Sequence, residues 1–256
     1  MIGLADFHHI EFSVANASQS AYWFCCSFGF QRFARLDNQR QTSIAAKFVF
    51  TSRKTFTEEE RVHYIFHGDT VIDVAFRVDD LDSIVQVLKS QNIDLILPNI
   101  SHFDQYGSVQ TATIRSEETD VYHTLIELDN YEGSFLPGYE EVKNFPITSL
   151  LDSIPLLQID HVVQNYPEES IKTTAAWYKN TLALKRFWSA DDLVAKTEYT
   201  AITAWLLVNE NKSVQYTIAE TVKGHPGRSQ TQGFGAGNFK SLFEAVEREQ
   251  KRRGTL

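Results

Sequence analysis

Sulfur is scarce in this sequence, with two cysteines and one methionine among 256 residues. The cysteines, Cys25 and Cys26, are neighbours, which excludes a zinc knuckle and a disulfide framework and predicts a cytoplasmic, reducing setting. No run of eighteen apolar residues occurs, and MIGLADFHHIEF at the N-terminus lacks the basic flank and apolar stretch of a leader, so neither secretion nor membrane spanning is expected. An excess of positive charge is also missing. Lysine and arginine number 24 against 33 aspartates and glutamates, a net charge of -9 that repels nucleic acid and anionic membranes. The one basic cluster, Lys251, Arg252 and Arg253, ends an expected helix, where cations complement the helix dipole.

What is present is ordinary globular material, 43% hydrophobic and 12% aromatic, enough for two small domains with their own cores. Three segments, beginning near Phe7, Val71 and Leu157, open alike: an alternating strand, a turn, then an amphipathic helix. In the first, Ile10, Phe12 and Val14 share a strand face, Asn16 caps a helix with Gln19 three residues on, Gly29 stops it, and Tyr22, Trp23 and Cys26 form its expected buried stripe. In the second, Ile72 to Val78 is the strand, and Asp80 or Asp82 caps a helix carrying Leu81, Ile84, Val85 and Leu88 and ending at Asn92. In the third, Ile159, His161 and Val163 share a strand face, followed by a helix from Glu168 to Leu182.

Strand-like runs follow each helix: Phe30 to Leu36, Ala45 to Thr51 and His63 to Phe66, then Ile93 to Leu97, Val109 to Arg115 and His123 to Leu128, then Leu184 to Trp188, Thr197 to Val208 and Val214 to Ala219. The plan is βαβββ, stated twice in full by residue 130 and begun a third time. Residues 1–135 are expected to form an N-terminal domain, 136–155 a linker rich in glycine and proline, and 156–256 a C-terminal domain. Glu220 to Gln232 reads as a loop, and Phe239 to Arg253 as a terminal helix. Such units cover their sheet edges by pairing, so a third unit is left without a mate.

Several strings carry a family resemblance: FHHIEFSVANA at Phe7, YEGSFLPGYE at Tyr131, IDHVVQN at Ile159, RFWSADD at Arg186, TEYT at Thr197 and QGFGAGNFKSLF at Gln232. Together they resemble the 4-hydroxyphenylpyruvate dioxygenase family of the vicinal-oxygen-chelate superfamily. The resemblance implies an α+β fold of glyoxalase-like βαβββ units, with one complete N-terminal barrel and an incomplete C-terminal one. It further implies an Fe(II) cofactor held by two histidines and a glutamate, leaving open positions for a 2-oxoacid and dioxygen. The implied activity converts 4-hydroxyphenylpyruvate and O2 to homogentisate and CO2 in tyrosine catabolism, in an enzyme that pairs into homodimers.

His161 matches the first iron ligand. By the same resemblance Gln230, Phe234, Asn238, Phe239 and Phe243 match substrate-pocket positions, whereas Leu242 suits simple helix packing. The string expected around the second ligand, similar to GVQHIAL, does not occur, and HPGRSQTQ stands where the glutamate-bearing last strand belongs. The match therefore breaks between Gln232 and Gly233, as if the fourth unit were absent. Glu220 and His225 align with an earlier strand and loop and are not expected to bind metal. Ala204, Thr217 and Ala219 replace a serine, a proline and an asparagine, which removes polar groups that recognise a hydroxylated ring. A divergent paralogue of the hydroxymandelate synthase type, or a non-catalytic partner of a full-length sibling, are the alternatives. Because the units repeat, His9, Asp73 and Glu127 occupy the ligand-equivalent positions of the N-terminal pair, where the family normally holds no metal.

Overall fold

Each repeat closes its sheet in the same way, with its first strand parallel to its last. The computed structural model describes residues 3–36, 40–43, 47–53, 55, 57–116, 119–142, 156, 158–190 and 201–222. In the first unit β1 (Leu4–Ser13), α1 (Ala17–Phe28), β2 (Arg32–Leu36), β3 (Arg40–Ser43) and β4 (Phe48–Thr51) give the strand order β1-β4-β3-β2. A helix, α2 (Glu58–His67), leads into the second unit: β5 (Thr70–Val78), α3 (Leu81–Ser90), β6 (Leu95–Asp104), β7 (Gly107–Arg115) and β8 (Tyr122–Glu127), in the order β5-β8-β7-β6. Strands β1 and β5 pair antiparallel and weld the two units into one nine-stranded sheet, whose far edge takes the two-residue strand β9 (Glu140–Glu141) beside β2. The third unit, β10 (Val162–Tyr166), α4 (Ile171–Leu182), β11 (Lys185–Ala190), β12 (Ile202–Val208) and β13 (Gln215–Thr221), repeats the order as β10-β13-β12-β11. Among the described residues β10 has β13 on one side and no strand on the other, the side on which β1 has β5.

The helices form where the sequence caps them. Asn16 Oδ1 accepts from the Gln19 N–H at 3.0 Å, Asp80 Oδ1 from the Ser83 N–H at 2.9 Å, and Gly29 ends α1 at a φ of 71°. Helix α3 buries Leu81, Ile84, Val85 and Leu88 as their spacing predicts, each worth about 1.5–3 kcal/mol of apolar burial. Helix α1 turns differently from the expected stripe. Its buried residues are Ala17, Ala21, Phe24 and Cys25, while Tyr22, Trp23 and Cys26 face outward. Phe24 is the ring this helix turns into the core, against Phe12, Phe48 and Phe50, with Ala17 and Ala21 beside it. The run His63 to Phe66 is helix rather than strand, because Thr57 and Glu60 form a reciprocal capping box ahead of it. Its place in the first sheet is taken by Arg40–Ser43. Glu220 lies inside β13, opposite Thr203, so the strand runs further than expected.

One core holds both sheets. The helix-bearing faces of all three units contribute to a single apolar cluster that runs from Leu4 and Phe12 through Phe76 and Leu88 to Tyr178 and Tyr216. Within it the second and third units share a buried polar network. Gln164 Oε1 accepts from the hydroxyls of Tyr166 at 3.0 Å and Tyr216, the Tyr178 hydroxyl lies 2.9 Å from that of Tyr166, and Gln164 Nε2 donates to Thr119 Oγ1 at 3.0 Å. His123 is fully enclosed, with Nδ1 3.1 Å from the Val74 carbonyl and Nε2 2.8 Å from the Tyr178 hydroxyl. A carbonyl only accepts, so the ring proton sits on Nδ1 and Tyr178 donates to Nε2.

Candidate functional site

His161 stands at the mouth of β10, two residues ahead of Val163. Strand register places Val163 beside Thr217, Asn165 beside Ala219, and Ala204 opposite Ala219, so all three family-divergent positions share one face of the third sheet. Trp188, 53% exposed, pairs with Leu206 on the same face. The opposite face carries Tyr216 and Ile218 into the core under α4. The substituted face is therefore smooth and weakly polar, with Asn165 and Thr217 beside two buried alanines. Gln230, Phe234, Asn238, Phe239, Leu242, Phe243 and His225 lie outside the described residues, as does the expected terminal helix.

The His161 ring is held by the residue before it. Its Nδ1 lies 2.7 Å from Asp160 Oδ2, an arrangement that fixes the tautomer and leaves Nε2 as the outward lone pair. No second and third ligand join it among the described residues. Glu220 is engaged elsewhere, since its Oε2 accepts the Ile171 N–H at 2.9 Å and so satisfies the start of α4. Glu127 does the same for α3, accepting the Leu81 N–H at 2.7 Å. The two carboxylates are thus one device used twice, a last-strand glutamate capping its own unit's helix, and the repeat explains both.

The ligand-equivalent trio of the N-terminal pair does not converge. Asp73 accepts from the Thr124 backbone N–H at 3.0 Å and from its hydroxyl, His9 Nδ1 is 2.8 Å from His8 Nδ1, and Glu127 serves α3. Burial, and after it the neighbouring His9, pushes the His8 ring well below its usual range, so it stays neutral. The helix-free face is moreover covered by the chain itself. Phe135, 3% exposed, packs with Ala34 and Val49 and stacks near His8 and His9 at 5.4 and 5.3 Å, while Tyr131 and Leu136 lie against Ala75, Val109 and Ile126. The motif that marks the family, FLPGYE, serves here as a plug.

Another grouping escaped the sequence reading. His63 and His67 on α2 meet Asp120 from the turn before β8, with one ligand atom from each lying within 4.8 Å of the others. An H-x-x-x-H pair behind the capping box was the available signal, hidden because those residues read as a strand. Among the described residues the cysteines form no part of any such group, and burial pushes the Cys25 thiol up to about 11, which keeps it protonated and inert.

No family model matches the sequence. A Caenorhabditis elegans protein whose name carries no activity is 45% identical, over 96% of this chain and 70% of its own length. Proteins named 4-hydroxyphenylpyruvate dioxygenase from Caenorhabditis briggsae and Danio rerio are 37% and 36% identical over 85% and 86% of the chain. The chain spans 58% of the length of each of those two dioxygenases. A mutant of 4-hydroxymandelate synthase from Streptomyces coelicolor shares the fold, with a TM-score of 0.71 at 18% identity over 96% of this chain and 76% of that one.

Proposed function

The chain belongs to the 4-hydroxyphenylpyruvate dioxygenase family, and from that premise we propose that it is an impaired form of the ketoacid dioxygenase, retaining His161 as its one iron ligand. In this reading 1–135 is the N-terminal domain, 136–155 the linker, and 156–256 a catalytic-type domain from which the unit between Gln232 and Gly233 is absent. The observation that carries it is the bare outer side of β10 among the described residues, on the strand that His161 introduces. In the complete N-terminal pair the corresponding side of β1 is filled by the second unit's first strand. The His161–Asp160 pair supports retention of a ligand geometry, whereas the described residues do not complete an iron site, so no catalytic step is written through iron.

On this reading the chain by itself turns over little or no ketoacid. Anaerobic loading with Fe(II), desalting and an iron assay, followed by a homogentisate assay with 4-hydroxyphenylpyruvate and O2, tests it. We expect no iron that depends on His161 and no product above background. Stoichiometric iron that disappears in His161→Ala, or appreciable homogentisate, would overturn the proposal.

The same open strand favours a second reading, a non-catalytic partner that pairs as a homodimer or with a full-length sibling. Phe187 and Trp188, 56% and 53% exposed on β11, add apolar surface at the far side of this sheet. Light scattering on a sizing column decides: a monomer at micromolar concentration discards this reading, and a soluble dimer sustains it.

A further inference from the structure

Helix α2, which leads into the second unit, and the turn between β7 and β8 lie far apart in sequence, yet they bring three metal-binding side chains together. His63 and His67 are one helical turn apart, their ring centroids separated by 4.4 Å. His67 Nε2 lies 3.1 Å from Asp120 Oδ2. A tetrahedral ion with bonds of about 2.1 Å holds its ligand atoms roughly 3.4 Å apart. The observed span of no more than 4.8 Å is thus closed by small side-chain rotations.

The carboxylate is already aimed. Arg115 donates through Nε to the Thr119 carbonyl at 3.1 Å and through Nη2 to Asp120 Oδ1, which leaves Oδ2 directed at the histidines. Outer hydrogen bonds of this kind orient metal ligands. The His67 side chain is nearly buried at 7% exposed, while Asp120 at 34% keeps the group open to solvent, which can supply a fourth ligand. The protonation states also suit binding. Burial, and after it the neighbouring His67, holds the His63 ring below its ordinary range, so it is neutral at pH 7. Burial pushes Asp120 upward, but hydrogen bonds from His67 and Arg115 outweigh it and keep the carboxylate ionised.

We propose that His63, His67 and Asp120 form a site for a late first-row divalent cation such as Zn2+, which clips α2 to the β7–β8 turn. Two imidazoles and one carboxylate suit such an ion. The Arg115 charge opposes the incoming cation, so affinity falls in the micromolar range rather than that of closed structural zinc sites. A bare His67–Asp120 ion pair, the simpler arrangement, gives His63 no part, and this difference makes the site testable.

Calorimetric titration of the full chain with ZnCl2 at pH 7.5, with Co2+ absorption as a second readout, tests the site. The expected result is one Zn2+ per chain, a tenfold or greater loss of affinity in both His63→Gln and Asp120→Asn, and unchanged binding in His161→Ala. A hundredfold excess of zinc over its Kd should raise the wild-type Tm by about 5–10 °C and leave His63→Gln unmoved. Should Asp120→Asn unfold, His63→Gln alone decides, because His63 makes no ion pair with Asp120. No binding, binding that survives His63→Gln, or binding lost in His161→Ala would each overturn the proposal.

Discussion

Lowering the pH should destabilise this fold through His123. Burial pushes its ring down to about 4, against an ordinary value of 6.5, and the hydrogen bond to the Val74 carbonyl opposes that shift only partly. Below pH 6.5 the unfolded chain takes up a proton at His123 that the folded chain refuses, so stability falls as pH falls and levels off near pH 4. At about 1.4 kcal/mol per pH unit, the gap between 6.5 and about 4 amounts to roughly 3 kcal/mol. Protonation would also place a hydrogen on Nε2, where the Tyr178 hydroxyl now donates, and disturb the network joining the second and third units. Other groups titrate over the same range, so the quantity to measure is a difference. Urea unfolding of wild type and His123→Phe every half unit from pH 4 to 7.5 should show the wild type losing about 3 kcal/mol more than the variant. Parallel curves would refute the assignment of the acid sensitivity to His123.

Two further substitutions test the plug and the caps. Phe135→Ala removes a buried ring from the helix-free face and should cost about 3–4 kcal/mol in denaturant unfolding; a loss under about 1 kcal/mol would show that the plug does not hold the first sheet. Glu220→Gln should cost about 1 kcal/mol in denaturant unfolding by weakening the α4 cap, and an unchanged stability would show that this contact does not hold the start of α4.

The repeat was legible because strand alternation followed by a helix recurs at three places, with side-chain caps at Asn16 and Asp80 in the first two, and each unit closes with its first strand parallel to its last. Where the reading failed, two signals competed. At α1 the large rings of Tyr22 and Trp23 outweighed Ala17 and Ala21 as candidates for burial, yet the face that meets the sheet is the one carrying Phe24 with those alanines and Cys25. At His63 to Phe66 four residues suggested a strand, while the decisive information lay upstream in Thr57 and Glu60. The roles of Glu127 and Glu220 depend on long-range geometry, because each reaches the helix start of its own unit across 46 and 49 residues. His161 was legible only by resemblance, since a lone histidine on a strand carries no chemistry in itself. The His63, His67 and Asp120 group joins the connecting helix α2 to the β7–β8 turn more than fifty residues later and has no linear motif spanning them.

The plug on the first sheet behaves as a ligand on a leash. Tyr131, Phe135, Leu136 and Tyr139 are tied to β8 by only a few residues, so they face their binding surface at an effective concentration of millimolar or more. Any diffusing molecule that sought the same face would have to outcompete an occupant that never leaves the chain. Of the two related helix-free faces, the one on the first sheet is therefore closed to small molecules by self-occupancy. Selection on that half of the protein then acts through packing, and residues such as Ala34, Val49 and Ala75 answer to the shape of Phe135 and Leu136 rather than to a substrate.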